Sequence, residues 1–285
     1  MAYEGVLQKY GHLFDLPTHT RPVALLEGNT PLIPMPRLAR ELGVAELYVK
    51  YEGLNPTGSF KDRGMTAAVS EALGRGAETV ICASTGNTAA SAAAYASRAG
   101  MRAVVLIPEG KVAAGKLAGA IAYGADVIQI EGSFDDALTM VVEITKKTPL
   151  ALVNSINPYR IEGQKSGAFE ICDVLGDAPD WHCLPVGNAG NISAYWMGYK
   201  QNAEVKGTKL PRILGVQAAG SAPLVLGHPV ENPETIATAI RIGKPARGEQ
   251  ALMSAEESGG RIIAQSDEKI LEAQRILASE GVWVE

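Results

Sequence analysis

From residue 79 onward, short apolar runs alternate with longer alanine-rich runs. "TVICA" (79–83) predicts a buried strand, and "AASAAAYASRA" (89–99) a helix. "RAVVLIP" (102–108) predicts the next strand, and "KLAGAIAY" (116–123) sits in the next predicted helix. "DVIQI" (126–130), a helix from 134 to about 147 and "LALVN" (150–154) complete the series. Strand and helix in turn are the signature of a mostly parallel sheet with helices on its faces. Strands that are apolar throughout, without alternation, predict burial on both faces. The pattern resumes with a helix around 160–175 and then "WHCLPVGNAGN" (181–191), a strand running into a glycine-rich loop. A helix from about 192 to 201 and the strand "RILGVQAA" (212–219) follow. A long proline- and glycine-rich loop then leads to a helix at 267–279, and "GVWVE" (281–285) reads as the start of a strand. There is no long linker and no internal repeat. The expectation is an α/β chain of two domains, each a mostly parallel sheet flanked by helices. The smaller domain is placed at 56–154. The larger is placed at 1–55 and 155–285, with the N-terminal arm packed on the second half.

Composition narrows the field. With 285 residues, 46% of them hydrophobic, the chain can bury one large core or two modest ones. A net charge of -5 argues against nucleic acid or an anionic membrane as the main partner, and leaves anionic small molecules open. Cys82, Cys172 and Cys183 form no CxxC pair, and His12, His19, His182 and His228 lack metal-ligand spacing, so no metal site is expected. The first residues, "MAYEGVLQKY", lack the positive flank and apolar run of a signal peptide. No stretch approaches the roughly 20 apolar residues of a membrane span. A soluble, cytoplasmic protein is expected.

Four stretches carry candidate chemistry. "VGNAGN" (186–191) follows a strand and precedes a helix. Its glycines permit close backbone approach, and exposed N–H groups at a helix start favour an anion. It is neither GxGxxG nor a Walker A loop, and an ordinary tight turn is the plain alternative. "ASTGNTAAS" (83–91) has the same strand–loop–helix layout. Ser84, Thr85, Asn87 and Thr88 could cradle a carboxylate, although one hydroxyl capping the helix would account for part of the pattern. "NSINPYRIEGQK" (154–165) follows a strand end, where ligands of doubly wound sheets sit, and Arg160 there could clamp a phosphate; a solvated turn and helix is the alternative. "NPTGSFKDRG" (55–64) sets Lys61 at a helix start. A cation there opposes the positive end of the helix dipole, and a neutral amine is a nucleophile. A lysine, a phosphate cradle and a carboxylate cradle in one α/β chain are the parts that pyridoxal phosphate (PLP) chemistry requires.

These residues also carry a resemblance. "EGLNPTGSFKDRGM" (52–65) resembles the lysine-attachment motif of the fold-type II PLP enzymes, the tryptophan synthase β family, at Glu52, Ser59, Phe60, Lys61 and Arg63. "STGNTAAS" resembles that family's carboxylate loop and "GNAGN" its phosphate loop. Together with "ALVNSINPYRIEGQK" and "LPVGNAGNISAYWMGY", the stretch from "LLEGNTPLIP" (25–34) to "GVWVE" is similar to the threonine synthase family. The resemblance implies conversion of O-phospho-L-homoserine and water to L-threonine and phosphate, by γ-elimination and β-addition of water. It implies that Lys61 carries the cofactor and then moves protons, with Phe60 packed near the cofactor and Asn87 at its ring hydroxyl. Gly187, Asn188, Ala189, Gly190 and Asn191 would hold the cofactor phosphate. Ser84, Thr85, Asn87 and Thr88 would hold the substrate carboxylate, and Lys116, Asn154, Ser155 and Arg160 the substrate phosphate. A homodimer is implied, and so is a continuation past Glu285 with a hydroxyl residue facing the pyridine nitrogen. A threonine or serine dehydratase of the same fold is the nearest alternative, and a non-catalytic amino-acid-binding relative a further one. The cluster Asn154, Ser155 and Arg160 favours the synthase, because a dehydratase needs no second anion site.

Overall fold

The computed structural model describes residues 2–109 and 114–285, less the side chains at 114–116 and 134–135. In chain order, the first elements are helix α1 (Val6–Tyr10), strand β1 (Leu32–Pro34), α2 (Pro36–Leu42), β2 (Tyr48–Lys50) and α3 (Lys61–Gly74). Next come β3 (Thr79–Ala83), α4 (Asn87–Arg98), β4 (Arg102–Pro108), α5 (Ala114–Ala122), β5 (Asp126–Ile130), α6 (Phe134–Lys147) and β6 (Ala151–Leu152). The last are α7 (Pro158–Leu175), β7 (Trp181–Pro185), α8 (Gly190–Lys206), β8 (Arg212–Ala218), α9 (Pro223–Leu226), α10 (Gly248–Glu257), β9 (Arg261–Gln265) and α11 (Asp267–Ser279). By packing, the chain divides into two compact units: Met1–Thr30 with Glu52–Ser166, and Pro31–Tyr51 with Gly167–Glu285.

The first unit holds a parallel sheet in the order β5-β4-β3-β6. The apolar runs of β3 and β4 are buried on both faces. Val80, Cys82, Val105 and Ile107 face Met65 and Val69 of α3 and Ala92, Ala93 and Tyr95 of α4. Ile81, Ala83 and Leu106 face Ala137 and Val141 of α6. Each fully buried Val, Ile or Leu contributes about 1.5–3 kcal/mol. Edge strand β5 departs from the expectation of two buried faces: among the described residues it pairs with β4 alone, and none of its residues is buried. Strand β6 is shorter than 150–154 suggested. Of the N-terminal arm expected on the second half, Pro31–Tyr51 falls in the second unit as expected, whereas Met1–Thr30 belongs to the first and packs on α3. There Val23 N–H donates to Ser70 Oγ, Arg21 N–H to the Ser70 carbonyl, and Thr66 Oγ1 to the Val23 carbonyl.

The second unit holds a parallel sheet in the order β7-β8-β9 and an antiparallel pair, β1-β2. Its core joins Ala168 and Ile171 of α7, Leu184, Ile213 and the aromatic rings of Tyr195, Trp196 and Tyr199 on α8. Strand β7 alternates, with His182 and Leu184 buried and Trp181, Cys183 and Pro185 exposed, so one of its faces is open rather than covered. The stretch 219–266, expected as a loop, contains α9, α10 and β9. The ending "GVWVE", expected to begin a strand, forms none: Val282 is buried, Trp283 is exposed, and the Trp283 carbonyl accepts from Tyr51 Oη. Lys50 of β2 and Glu170 of α7 form a buried ion pair at 2.7 Å.

Candidate active site

The sequence puts Lys61 at the first residue of α3, and the structure shows what fixes it there. Glu52 Oε2 accepts from Arg63 Nε at 2.6 Å and Glu52 Oε1 from Arg63 Nη2 at 2.8 Å, a bidentate pair. Arg63 also donates to Ser166 Oγ and to Thr30 Oγ1, both at 3.0 Å. Asn55 Nδ2 donates to the Glu52 carbonyl, and Asn55 Oδ1 accepts from Gly28 N–H. Asp62, fully buried, accepts from Thr57 N–H at 2.7 Å, Thr57 Oγ1 at 2.6 Å and Ser91 Oγ of α4 at 2.6 Å. Burial pushes the Asp62 carboxyl up, against the pull of those donors. Ser59 Oγ accepts from the Lys61 N–H. The polar residues of the motif thus hold one another and leave the half-buried Lys61 amine 4.3 Å over the Phe60 ring, a cation–π contact of about 0.5–1 kcal/mol. Beneath the loop, α3 crosses α7 backbone to backbone. A Cβ added at Gly163 would lie 1.9 Å from the Arg63 carbonyl oxygen, and one at Gly64 2.6 Å from that of Arg160.

The loop 84–88 joins β3 to α4. Ser84 Oγ accepts from Ala89 N–H at 3.2 Å and Gly86 N–H at 3.3 Å, so it closes the loop and satisfies a first-turn amide of α4. Thr85, Asn87 and Thr88 are half-buried on the same turn. Asn154 sits across from this strand end. Its Oδ1 accepts from Ala83 N–H at 3.0 Å and its Nδ2 donates to the Ala83 carbonyl at 2.8 Å. The amide side chain continues the sheet pairing where the backbone of β6 leaves it, which is why β6 is short. Asn154 therefore fastens the strand end. Arg160 is 2% exposed, its Nη1 donates to the Val153 carbonyl at 3.0 Å, and its Nε has no hydrogen-bond partner. Burial lowers its pKa to about 10, opposed by Cys82 and Asp62, and it remains a cation at neutral pH. Ser155 is half-buried in the turn that Asn157 N–H closes onto the Asn154 carbonyl. The Lys116 side chain lies outside the described residues.

In the second unit, loop 186–191 joins β7 to α8. Ala189 takes a left-handed conformation, φ 64°, and no side chain caps α8. Gly187 is needed by its surroundings: a Cβ there would lie 3.0 Å from Ile240 Cα and 3.3 Å from the Ala239 carbonyl oxygen. Asn188 Oδ1 accepts from Ala246 N–H, and its carbonyl from Arg247 N–H. The loop is thus shaped by its backbone and braced by residues 239–247.

Glu27 escaped sequence reasoning. It is fully buried, and its carboxylate accepts from Val6 N–H, Leu25 N–H and Tyr95 Oη. A charged residue between "ALL" and "GNT" was the available signal. Asp62 escaped as well, because nothing in the sequence marks Ser91 as its partner. Among the described residues no group of His, Cys, Asp and Glu could hold a metal ion, and no helix is long and apolar enough to cross a membrane.

The residues present fit pyridoxal phosphate. The first unit offers an amine on a pinned backbone, for an aldehyde. The second offers an uncapped helix start behind a left-handed residue, with main-chain N–H groups for a phosphate.

Comparison with known proteins agrees. The model of the pyridoxal-phosphate dependent enzyme family matches residues 23–285. A threonine synthase of Synechocystis sp. is 59% identical over 99% of this chain and 75% of its own length. One of Bacillus sp. is 58% identical over 99% of this chain and 80% of its own length. Among solved structures, the processed form of threonine deaminase isoform 2 from Solanum lycopersicum has a TM-score of 0.76 at 26% identity, covering 90% of this chain and 70% of that one. Maize serine racemase shares the fold with a TM-score of 0.77 at 23% identity, over 90% of this chain and 78% of that one. With a motif wired around Lys61 and identity near 60% across almost its whole length, the chain belongs to the pyridoxal-phosphate dependent enzyme family and, within it, to the threonine synthases.

Proposed function

We propose that the protein converts O-phospho-L-homoserine and water to L-threonine and phosphate. The observation that carries this reading is the 59% identity, over 99% of the chain, with a protein called threonine synthase. When bound, pyridoxal phosphate supplies an electron sink for charge developed at the substrate Cα. Lys61 holds the cofactor and, once displaced by substrate, moves protons at Cα, Cβ and Cγ as phosphate leaves Cγ and water adds at Cβ. Phe60 packs against the cofactor and Asn87 meets its ring hydroxyl. Gly187, Asn188, Ala189, Gly190 and Asn191 grip its phosphate. Ser84, Thr85, Asn87 and Thr88 hold the substrate carboxylate. Lys116, Asn154, Ser155 and Arg160 draw the substrate phosphate, Asn154 from the strand end that it also fastens. The protein works in the cytoplasm as a homodimer; its net charge of -5 suits no nucleic acid.

The test is turnover by the protein loaded with PLP. O-phospho-L-homoserine should yield threonine and inorganic phosphate in equal amounts. Deamination of serine or threonine to a keto acid, with phosphohomoserine untouched, would identify a dehydratase instead. Binding of amino acids without turnover of either kind would mark a non-catalytic relative.

A further inference from the structure

Arg247 is a cation partly withdrawn from water, with no anion to meet it among the described residues. Its Nε is buried and has no hydrogen-bond partner. Burial lowers its pKa, and no neighbouring charge opposes that shift. Among the described residues no carboxylate pairs with it, although Glu249 lies two residues along α10. Withdrawing a charge from water without compensation is costly, and a bound anion would offset that cost.

The backbone fixes where residue 247 sits. Arg247 N–H donates to the Asn188 carbonyl at 3.3 Å, and Ala246 N–H donates to Asn188 Oδ1 at 3.2 Å. Residue 247 is thereby fastened to the middle of the glycine loop. The loop itself, "VGNAGN", carries no charge. A phosphate monoester brings about -1.5 to -2 at neutral pH, which N–H dipoles stabilise only in part. We propose that Arg247 supplies the countercharge for the phosphate monoester held at residues 187–191. The inference rests on the reading that this loop holds the cofactor phosphate.

Equilibrium titration of the cofactor-free protein with PLP and with pyridoxal, which lacks the phosphate, tests the role without any assay of turnover. The chains compared are the wild type, Arg247→Gln, Arg247→Lys and Lys244→Gln. Lys244 is exposed on the same segment, so its loss removes the same charge from the same neighbourhood. Arg247→Gln is expected to weaken PLP about tenfold or more, as for a lost charged hydrogen bond, and to leave pyridoxal unchanged. Arg247→Lys should recover part of the loss, since it keeps the charge but not the planar fork; it also serves if the glutamine variant melts early in the cofactor-free state. Lys244→Gln should match the wild type. An Arg247→Gln protein that keeps the full preference for PLP over pyridoxal overturns the role of Arg247 alone. Equal losses in Arg247→Gln and Lys244→Gln overturn it too, because they report a general field. A wild type that does not distinguish PLP from pyridoxal overturns the phosphate assignment of the loop, and the role of Arg247 with it. A loss confined to the KM for O-phospho-L-homoserine on PLP-saturated protein would place Arg247 at the substrate phosphate and refute the cofactor assignment.

Discussion

The loop that presents Lys61 and the glycine loop at 186–191 are built on opposite plans. In the first, side chains do the holding: Glu52 with Arg63, Asp62 with Thr57 and Ser91, and Asn55 with the Gly28 N–H. In the second, the main chain does the shaping, through a left-handed Ala189 and a glycine pressed against Ile240. The difference follows from what each would offer in the proposed roles. An amine that moves protons needs an anchored backbone and a mobile tip, and a polar network supplies the anchor. A phosphate cradle needs N–H groups left open, which a loop of glycines and small residues provides.

Replacing Lys61 by Ala takes away the tip and leaves the anchor. Activity should fall by about 10²- to 10⁴-fold or more, while the melting temperature of the cofactor-free protein stays close to wild type. Borohydride reduction and peptide mapping of the wild type should locate the cofactor on Lys61, and label on another lysine would refute the assignment. Arg63→Gln breaks the anchor. Removing one partner of a buried pair costs about 3–5 kcal/mol, to be read from urea unfolding of the cofactor-free protein; a loss no larger than that of a surface substitution would mean that the network holds nothing. Ala189→Gly probes the other plan. It relieves a left-handed non-glycine residue, whose strain is of order 1–3 kcal/mol, offset by the extra freedom of glycine in the unfolded chain. Stability should stay within about 1 kcal/mol of wild type, and a loss as large as that of Arg63→Gln would erase the contrast.

The smallest effect concerns pH. Burial raises the pKa of Glu27 above its ordinary 4.5, against hydrogen bonds from Leu25, Tyr95 and Val6. The folded protein therefore holds this proton more tightly than the unfolded chain does. The stability it lends is fully present below about 4.5 and is lost as pH rises through the folded value. The stability difference between wild type and Glu27→Gln should be larger near about pH 4 than near about pH 8. A flat difference, or the opposite slope, would show that Glu27 does not titrate as its burial requires.

Much of this was legible in the sequence, for reasons that differ from segment to segment. Strands β3 and β4 announced themselves because their apolar runs are buried on both faces. Strand β9 did not, because "RIIAQ" is short and follows two glycines, and its place beside β8 is a matter of packing. "GVWVE" forms no strand here, since a short apolar run satisfies a strand pattern wherever the chain goes. Lys61 stood out through a long motif, yet the motif gave no hint of what its polar residues do. Arg63 reaches Ser166 across 103 positions, and Asp62 reaches Ser91 across 29. Such partners come together only on folding. Asn154 reads as a ligand in the sequence, and nothing there shows that its amide also binds the backbone of Ala83, as an amide can because it imitates a peptide group.

The crossing of α3 and α7 at Gly64 and Gly163 has a consequence for inheritance. Main chain lies against main chain there, so the seam contains no rotamer that could absorb a change. Elsewhere in the core a larger side chain can be accommodated by a smaller neighbour, and lineages can wander through such exchanges. At this seam no neighbour has anything to give up. A methyl group at either position would have to displace an entire helix, and with it the residue three places before Gly64 that bears the amine. The two positions are therefore expected to stand still while the residues around them drift.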